Sequence, residues 1–458
     1  MKNGEHDNQL AHGLKPRHVQ LIALGGAIGT GLFLGAGQSI KLAGPAIIFA
    51  YLIAGLVCFL IMRALGELLI SNPNCRSYID FITKYLGRRN GFVVGWTYWI
   101  CWITIAMAEI TAAGMYMKFW FPHLPQWVTG LIVLIILFIL NSKNVSVFGE
   151  TEFWFALIKI FAIIMLILTG IIMVMVHYRT HVGFVSLSNL VNYGFFSHGL
   201  KGFLLSFQMV VFSFVGIEMI GMTAAETKSP QREIPKCINS VPTRILLFYV
   251  GSLLALMCIY PWIDVSASSS PFVQVFANVG IKFAASIINF VVLTAALSSC
   301  NSAIFTTGRM VFSLCYNHHS KFGRKLSSVS KKHHVPTYAI GFSTLIIAIS
   351  VLLNLMTPSG VFSFISSVST TCFLYIWGMI VLTHLQYRRK VAKKHLTSKL
   401  EFKMPGYPVS DYLALAFLAF VMVILMFKPE TFIALVGSVI WLILMYWGYS
   451  IYSRTDRD

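Results

Sequence analysis

Apolar runs of bilayer-crossing length, roughly 20 residues, recur along this 458-residue chain at 18–40, 45–70, 91–117, 127–142, 152–177, 201–223, 245–262, 283–315, 337–356, 360–384, 411–427 and 431–452. Short polar or basic segments separate them. The pattern predicts an all-α integral membrane protein of twelve transmembrane helices, and the even count places both termini on one side. One segment, RSYIDFITKYLGRRN (76–90), is too short and polar to cross. Its Tyr78, Ile82, Tyr85 and Leu86 recur at helical spacing, so it is expected to lie as an amphipathic helix along the inner surface.

Composition agrees. Hydrophobic residues make up 57% of the chain and charged residues 11%, well away from the composition of soluble domains. Residues 1–17 are polar and run straight into a span, which lacks the layout of a cleavable secretory signal. The eight cysteines form no CxxC pair, so neither a disulfide nor a metal site is expected. The net charge of +19 is spread among loops rather than gathered in one stripe, which argues against nucleic acid. With the N-terminus inside, 26 of the 35 Lys and Arg fall in inside segments, as the positive-inside rule requires. The 385–410 segment alone carries Arg388, Arg389, Lys390, Lys393, Lys394, Lys399 and Lys403 and reads as a solvated cytoplasmic loop, with contact to anionic lipid compatible.

Two spans are weak where a membrane helix should be strong. LIALGGAIGTGLFLGAG (21–37) places Gly25, Gly26, Gly29 and Gly31 in mid-span, and MVVFSFVGIEMIGMT (209–223) places Gly216 and Gly221 similarly; each glycine costs a helix interior roughly 1 kcal/mol relative to alanine. These are the first and sixth spans. They open consecutive five-span blocks that enter the membrane from opposite sides, the arrangement of an inverted repeat with broken helices. A break in hydrocarbon is tolerated only where protein or a watery cavity meets the freed N–H and C=O groups. The N–H groups near Ile28, Gly29, Thr30 and Gly31 suit a carboxylate, and carbonyls near Phe212, Ser213 and Phe214 suit an ammonium, so the pair fits an amino acid zwitterion. The competing reading is close helix packing of the small-xxx-small kind.

Four ionisable residues stand where lipid makes them costly: Glu67, Glu109, Lys159 and Glu218. Lys159 lies about 10 Å along its helix from Glu152, an awkward distance for snorkelling, and its protonation can couple to conformation; the alternative is a static cation bonded to helix ends. Glu218, beside the sixth-span break, either caps exposed N–H groups or relays a proton. Glu109 either lines the cavity or bonds a neighbouring helix, and Glu67, near an inner end, reads as structural. Ser298, Ser299, Asn301 and Ser302 of LSSCNSAIF are possible cavity-lining residues whose default reading is bonding between helices.

At these residues the chain resembles an amino acid permease of the amino acid-polyamine-organocation superfamily. RHVQLIALGGAIGTGLFLGAG, AGPAIIFAYLIAG, MRALGELL, GWTYW, FGETEFWFALIKI, VGIEMIGMTAAETKSP, INSVPTRILLFYVG and INFVVLTAALSSCNS occur in the family's order across nearly the whole length. TAAETK with HVQLIALGGAIGTGLF most resembles the D-serine/D-alanine/glycine transporter branch. The resemblance implies a five-plus-five inverted repeat followed by two C-terminal helices, and uptake driven by the proton gradient. Residue by residue, the substrate-carboxylate segment falls on Ala27, Ile28, Gly29, Thr30 and Gly31, and the amino-group carbonyls on Phe212, Ser213 and Phe214. Phe212 also takes the aromatic gate position, and Lys159 matches the fifth-helix lysine that stands where sodium binds in related transporters.

The expected organisation is an N-terminal tail (1–17), a first repeat (18–200), a second repeat (201–384), the basic cytoplasmic loop (385–410), and two further helices with a short tail (411–458). The expected function is secondary active import of small neutral amino acids, D-alanine, D-serine and glycine, by proton symport with alternating access. The alternatives are amino acid exchange, or another neutral substrate such as L-serine, L-threonine, L-alanine, proline or an aromatic amino acid. No selectivity-filter repeat suggests a channel, and no nucleophile with a partner, phosphate loop or sizeable soluble domain suggests an enzyme or receptor. No cofactor is expected beyond the proton as coupling ion; the partners are the amino acid and the lipid bilayer, and the location is a cell membrane, bacterial by resemblance, with both termini cytoplasmic. Oligomeric state is not legible.

Overall fold

The computed structural model describes residues 28–455 other than 73, 74, 76, 144, 181, 182, 220, 222–229, 268, 281, 317–320, 331–333, 357–359 and 395–401. Among the described residues, nine helices are long and apolar enough to cross a membrane, and Gln126–Asn141 and Gly199–Phe212 are shorter apolar helices. The 37-residue run Gly35–Ser71 is not one span. A turn at Gly44–Ala46 divides it into Gly35–Ala43, the outer part of the first span, and Ile47–Ser71, the second.

Lipid explains which helices stay apolar all round. The fourth span, Gln126–Asn141, exposes Leu131, Ile132, Ile135, Ile136 and Ile139, and the twelfth, Pro429–Thr455, exposes Ile433, Ile440, Ile443 and Trp447. These side chains have no protein to pack on and need none in hydrocarbon. The third span, Arg88–Met117, and the tenth, Val361–Lys393, are instead the most enclosed of the nine, with 83% and 78% of their apolar stretches buried. They carry the polar chemistry.

The helices pack in a repeating scheme. The first span meets the sixth, the second meets the seventh (241–259), the third meets the eighth (Lys282–Leu314), and the fourth meets the ninth (337–356). Beyond these pairs, third-on-tenth is matched by eighth-on-fifth, second-on-tenth by seventh-on-fifth, and third-on-fourth by eighth-on-ninth. Every such match shifts both partners by five spans, as a five-span repeat requires. The eleventh span, Val409–Ile424, packs on the second, sixth and tenth, and the twelfth on the third and tenth.

At the basic end, Tyr78–Leu86 forms the expected amphipathic helix, started by a capping box in which the Ser77 N–H donates to Asp80 Oδ2 at 3.1 Å. It buries Tyr78, Phe81 and Ile82. One expectation needs correction: the tenth-span helix runs on to Lys393, so Arg388, Arg389, Lys390 and Lys393 are helical rather than part of a loop. The extension has a physical cause. Glu67 of the second span forms ion pairs with Arg388 Nε at 2.6 Å and His384 Nε2 at 3.1 Å, and accepts the Met404 N–H at 2.7 Å, while His384 Nδ1 meets Asp411 at 2.9 Å. Glu67 is thereby structural, tying the second, tenth and eleventh spans together. Replacing one partner strands the others' charge at a cost of about 3–5 kcal/mol. Glu67→Ala is therefore expected to lower the thermal unfolding midpoint in detergent by several degrees, measured by the loss of monodisperse protein on heating.

Candidate substrate-binding site

The described part of the first span begins at its break. Gly29 is extended, a single helical turn runs from Thr30 to Phe33, and the helix restarts at Gly35. Ala27, with Gly25 and Gly26, lies outside the described residues. Two buried ionisable side chains hold the break open: Lys159 Nζ donates to the Ile28 carbonyl at 3.2 Å, and the Thr30 N–H donates to Glu109 Oε1 at 3.4 Å. The leading N–H groups of the turn have no acceptor within their own helix. A side chain on Gly29 would meet Glu109 Oε1 at 2.9 Å, and one on Gly31 would meet the Ser213 Cα at 2.7 Å. Glycine is present because the two broken helices touch here.

The sixth span is helical over Gly199–Phe212 and then turns irregularly. Gly216 sits at φ 98°, a conformation that disfavours other residues. Its N–H donates to Glu218 Oε2 at 3.2 Å, and Glu218 also accepts from Tyr98 at 3.3 Å and Trp377 at 3.4 Å. Of the two roles open to Glu218, the hydrogen bonds of a cap are in place. The expected amino-group carbonyls fare less simply. The Ser213 carbonyl already accepts from Tyr249 at 2.9 Å, and Phe214 stacks on Tyr249 with ring centroids 4.9 Å apart. The Phe212 and Phe214 carbonyls accept the Val215 and Ile217 N–H groups at 3.2 and 3.4 Å, and Val215 rather than Phe214 lines the cavity.

Between the breaks lies a cavity of about 30 Å³, lined by Gly29, Gly31, Phe212 and Ser213 from the broken helices, by Trp102, Ile105 and Glu109 from the third span, and by Val215, Ser299 and Ser302. That is room on the order of two waters. Phe212 meets Phe362 edge to face with centroids 6.1 Å apart, and Phe362 lines a far larger cavity, about 740 Å³, at the end of the bundle away from the basic segments. The phenylalanine pair thus stands between a wide vestibule and a narrow site.

Of the four polar residues expected along the eighth span, Ser299 and Ser302 face the cavity. Ser298 and Asn301 do not: they donate to Glu152 at 2.8 and 3.0 Å. Lys159 lies one layer behind the cavity, bonded to the Ile28 carbonyl. Trp102, Ile105 and Val215 went unnoticed in the sequence because an apolar wall residue is indistinguishable there from a core residue. Glu152 did carry a signal: it precedes Lys159 by seven residues, which puts both on one helical face.

The contact between the breaks is testable. Forcing a methyl group into such a space costs about 1–3 kcal/mol, so Gly31→Ala is expected to weaken substrate binding about tenfold or more, measured as saturable uptake. Gly437→Ala, where an added Cβ meets nothing within 4 Å, should leave uptake unchanged.

Comparison with known proteins matches this arrangement to a family. The amino acid permease family profile covers residues 18–458. The amino-acid permease AapA of Bacillus subtilis is 53% identical over 99% of this chain and 98% of its own length. The D-serine/D-alanine/glycine transporter of Escherichia coli K12 is 45% identical over 97% of this chain and 94% of its own. The DL-alanine permease SerP2 of Lactococcus lactis is 45% identical over 94% of this chain and 93% of its own. A multi-span helical protein, with two interrupted helices meeting at an enclosed polar cavity and likeness of this extent, is a transporter rather than an enzyme, and the chain belongs to the amino acid permease family.

Proposed function

We propose that this permease imports small neutral amino acids, with glycine, alanine and serine as substrates and the D-enantiomers among them, by proton symport across a bacterial cell membrane. The observation that carries the reading is the cavity itself. On one side it offers the N–H groups of a helix start, and on another the Glu109 carboxylate, with Trp102, Ile105, Phe212 and Val215 closing the remainder. These groups suit an α-carboxylate, an α-ammonium and a side chain of a few atoms, for which the two-water space has to widen as the Phe212–Phe362 pair parts. The glycine, serine and alanine in the names of two relatives are of this size.

In this reading the basic end faces the cytoplasm, by the positive-inside rule, and the vestibule faces out. Substrate passes the Phe212–Phe362 pair, its carboxylate meets the N–H groups at Gly29–Gly31, and its ammonium turns to Glu109. Lys159 is the coupling group: its bond to the Ile28 carbonyl is stronger while the amine is charged, so gain or loss of that proton changes how firmly the first-span break is held. The proton gradient supplies about 1.4 kcal/mol per pH unit and the membrane potential about 2.3 kcal/mol per 100 mV per charge. The proton is the coupling ion in place of any cofactor.

Proteoliposomes loaded with labelled substrate outside, with and without an inward proton gradient, test this. Glycine and both enantiomers of alanine and serine are expected to accumulate only with the gradient. Uptake indifferent to the gradient but dependent on amino acid inside the vesicle would make the protein an exchanger. Lys159→Ala should abolish gradient-driven accumulation; unchanged concentrative uptake would reduce Lys159 to a structural cation. Trp102→Ala, by enlarging the cavity, is expected to relax the size limit, seen as phenylalanine competing for alanine uptake in the variant and not in the parent.

A further inference from the structure

Glu152 belongs to none of the groups that line the cavity, and its surroundings are more elaborate than helix packing requires. It is buried in the fifth span, Val145–Met175. Ser298 Oγ donates to its Oε2 at 2.8 Å and Asn301 Nδ2 to its Oε1 at 3.0 Å. The Asn301 amide cannot turn over, because its Oδ1 accepts from Asn141 Nδ2 at 2.8 Å, and Asn141 in turn donates to the Leu137 carbonyl at 2.9 Å. A chain of fixed donors therefore points at this carboxylate. A glutamine or serine would join the fifth and eighth spans at far lower cost in a membrane, so the charge itself calls for a use.

Position suggests the use. Lys159 stands two turns further along the same face, and the carboxylates of Glu152 and Glu109 both act electrostatically on it. Side chains lean toward the start of their helix, which brings the Lys159 amine back toward Glu152. Ser302, one residue beyond Asn301, lines the cavity, so the eighth span touches the cavity and Glu152 within one helical turn. The fifth span begins at the basic end, so the order from cavity to that end is Glu109, Lys159, Glu152. Among the described residues, the buried thiol of Cys300 also lies within electrostatic reach of both carboxylates.

We propose that Glu152 is the release-side station of the coupling proton, receiving it from Lys159 and passing it to water at the basic end. In the step, the N–H bond of the Lys159 ammonium breaks and an O–H bond forms on a Glu152 carboxylate oxygen, leaving a neutral amine and a neutral acid. The acid then loses its proton to water once the basic end opens, and Glu152 returns to its carboxylate bonded by Ser298 and Asn301. This rests on the proton-symport reading above.

Parent, Glu152→Gln and Glu152→Asp proteins in proteoliposomes distinguish the possibilities, with labelled alanine and an internal pH dye followed together. Gln keeps the shape and cannot hold the proton in transit, so gradient-driven alanine accumulation and dye acidification should both fall by roughly tenfold or more. Alanine-for-alanine exchange, which needs no net proton movement, should fall far less, and Asp should recover part of the net flux. Accumulation and acidification by Glu152→Gln equal to the parent would overturn the role, as would an equal loss of exchange and net uptake in Glu152→Gln with no recovery in Asp, which would make Glu152 a packing residue. If the parent itself shows no gradient-driven uptake, the symport reading falls with it, and that result is separate because it is read without any variant.

Discussion

A helix that stops in the middle of a bilayer must find partners for its backbone inside the protein, since hydrocarbon offers none. Four buried side chains of this permease answer that requirement. Lys159 takes the Ile28 carbonyl, Glu109 the Thr30 N–H, Glu218 the Gly216 N–H and Tyr249 the Ser213 carbonyl. These four side chains come from the fifth, third, sixth and seventh spans, so the cost of the two breaks is distributed over the bundle. The N–H groups that the first-span break leaves unpaired border the cavity.

The same requirement explains the contrast between centre and periphery. The third and tenth spans are surrounded by protein and hold Tyr98, Glu109 and Trp377 where hydrogen bonds can be completed. The outward faces of the fourth and twelfth carry mainly aliphatic and aromatic side chains. Away from the cavity, the buried group of Glu67, His384, Arg388 and Asp411 shows the other way of keeping charge in such a place, by balancing carboxylates with cations at ion-pair distance.

Much of this was legible in the residues. Apolar run length gave the spans, because bilayer thickness sets it, and glycine in mid-span marked both breaks. The ionisable residues pointed inward because lipid excludes them, and Lys159, Glu109 and Glu218 each meet a broken helix. Three things were not legible. The wall of Trp102, Ile105 and Val215 depends on which face of a helix turns inward, and a helix that is apolar all round shows no such face. The Ser213 carbonyl is occupied by Tyr249, a residue 36 positions away, and no local pattern reports so distant a partner. The tenth helix outlasts the membrane because Arg388 is drawn to Glu67, 321 residues earlier, so charge density alone misread its last turns as loop.

The narrowness of the cavity has a thermodynamic side. A site of about 30 Å³ holds little water to expel, so the solvent release that usually accompanies filling an apolar pocket is small. The pocket's own share of any heat-capacity change on binding, which follows apolar area removed from water, is correspondingly slight.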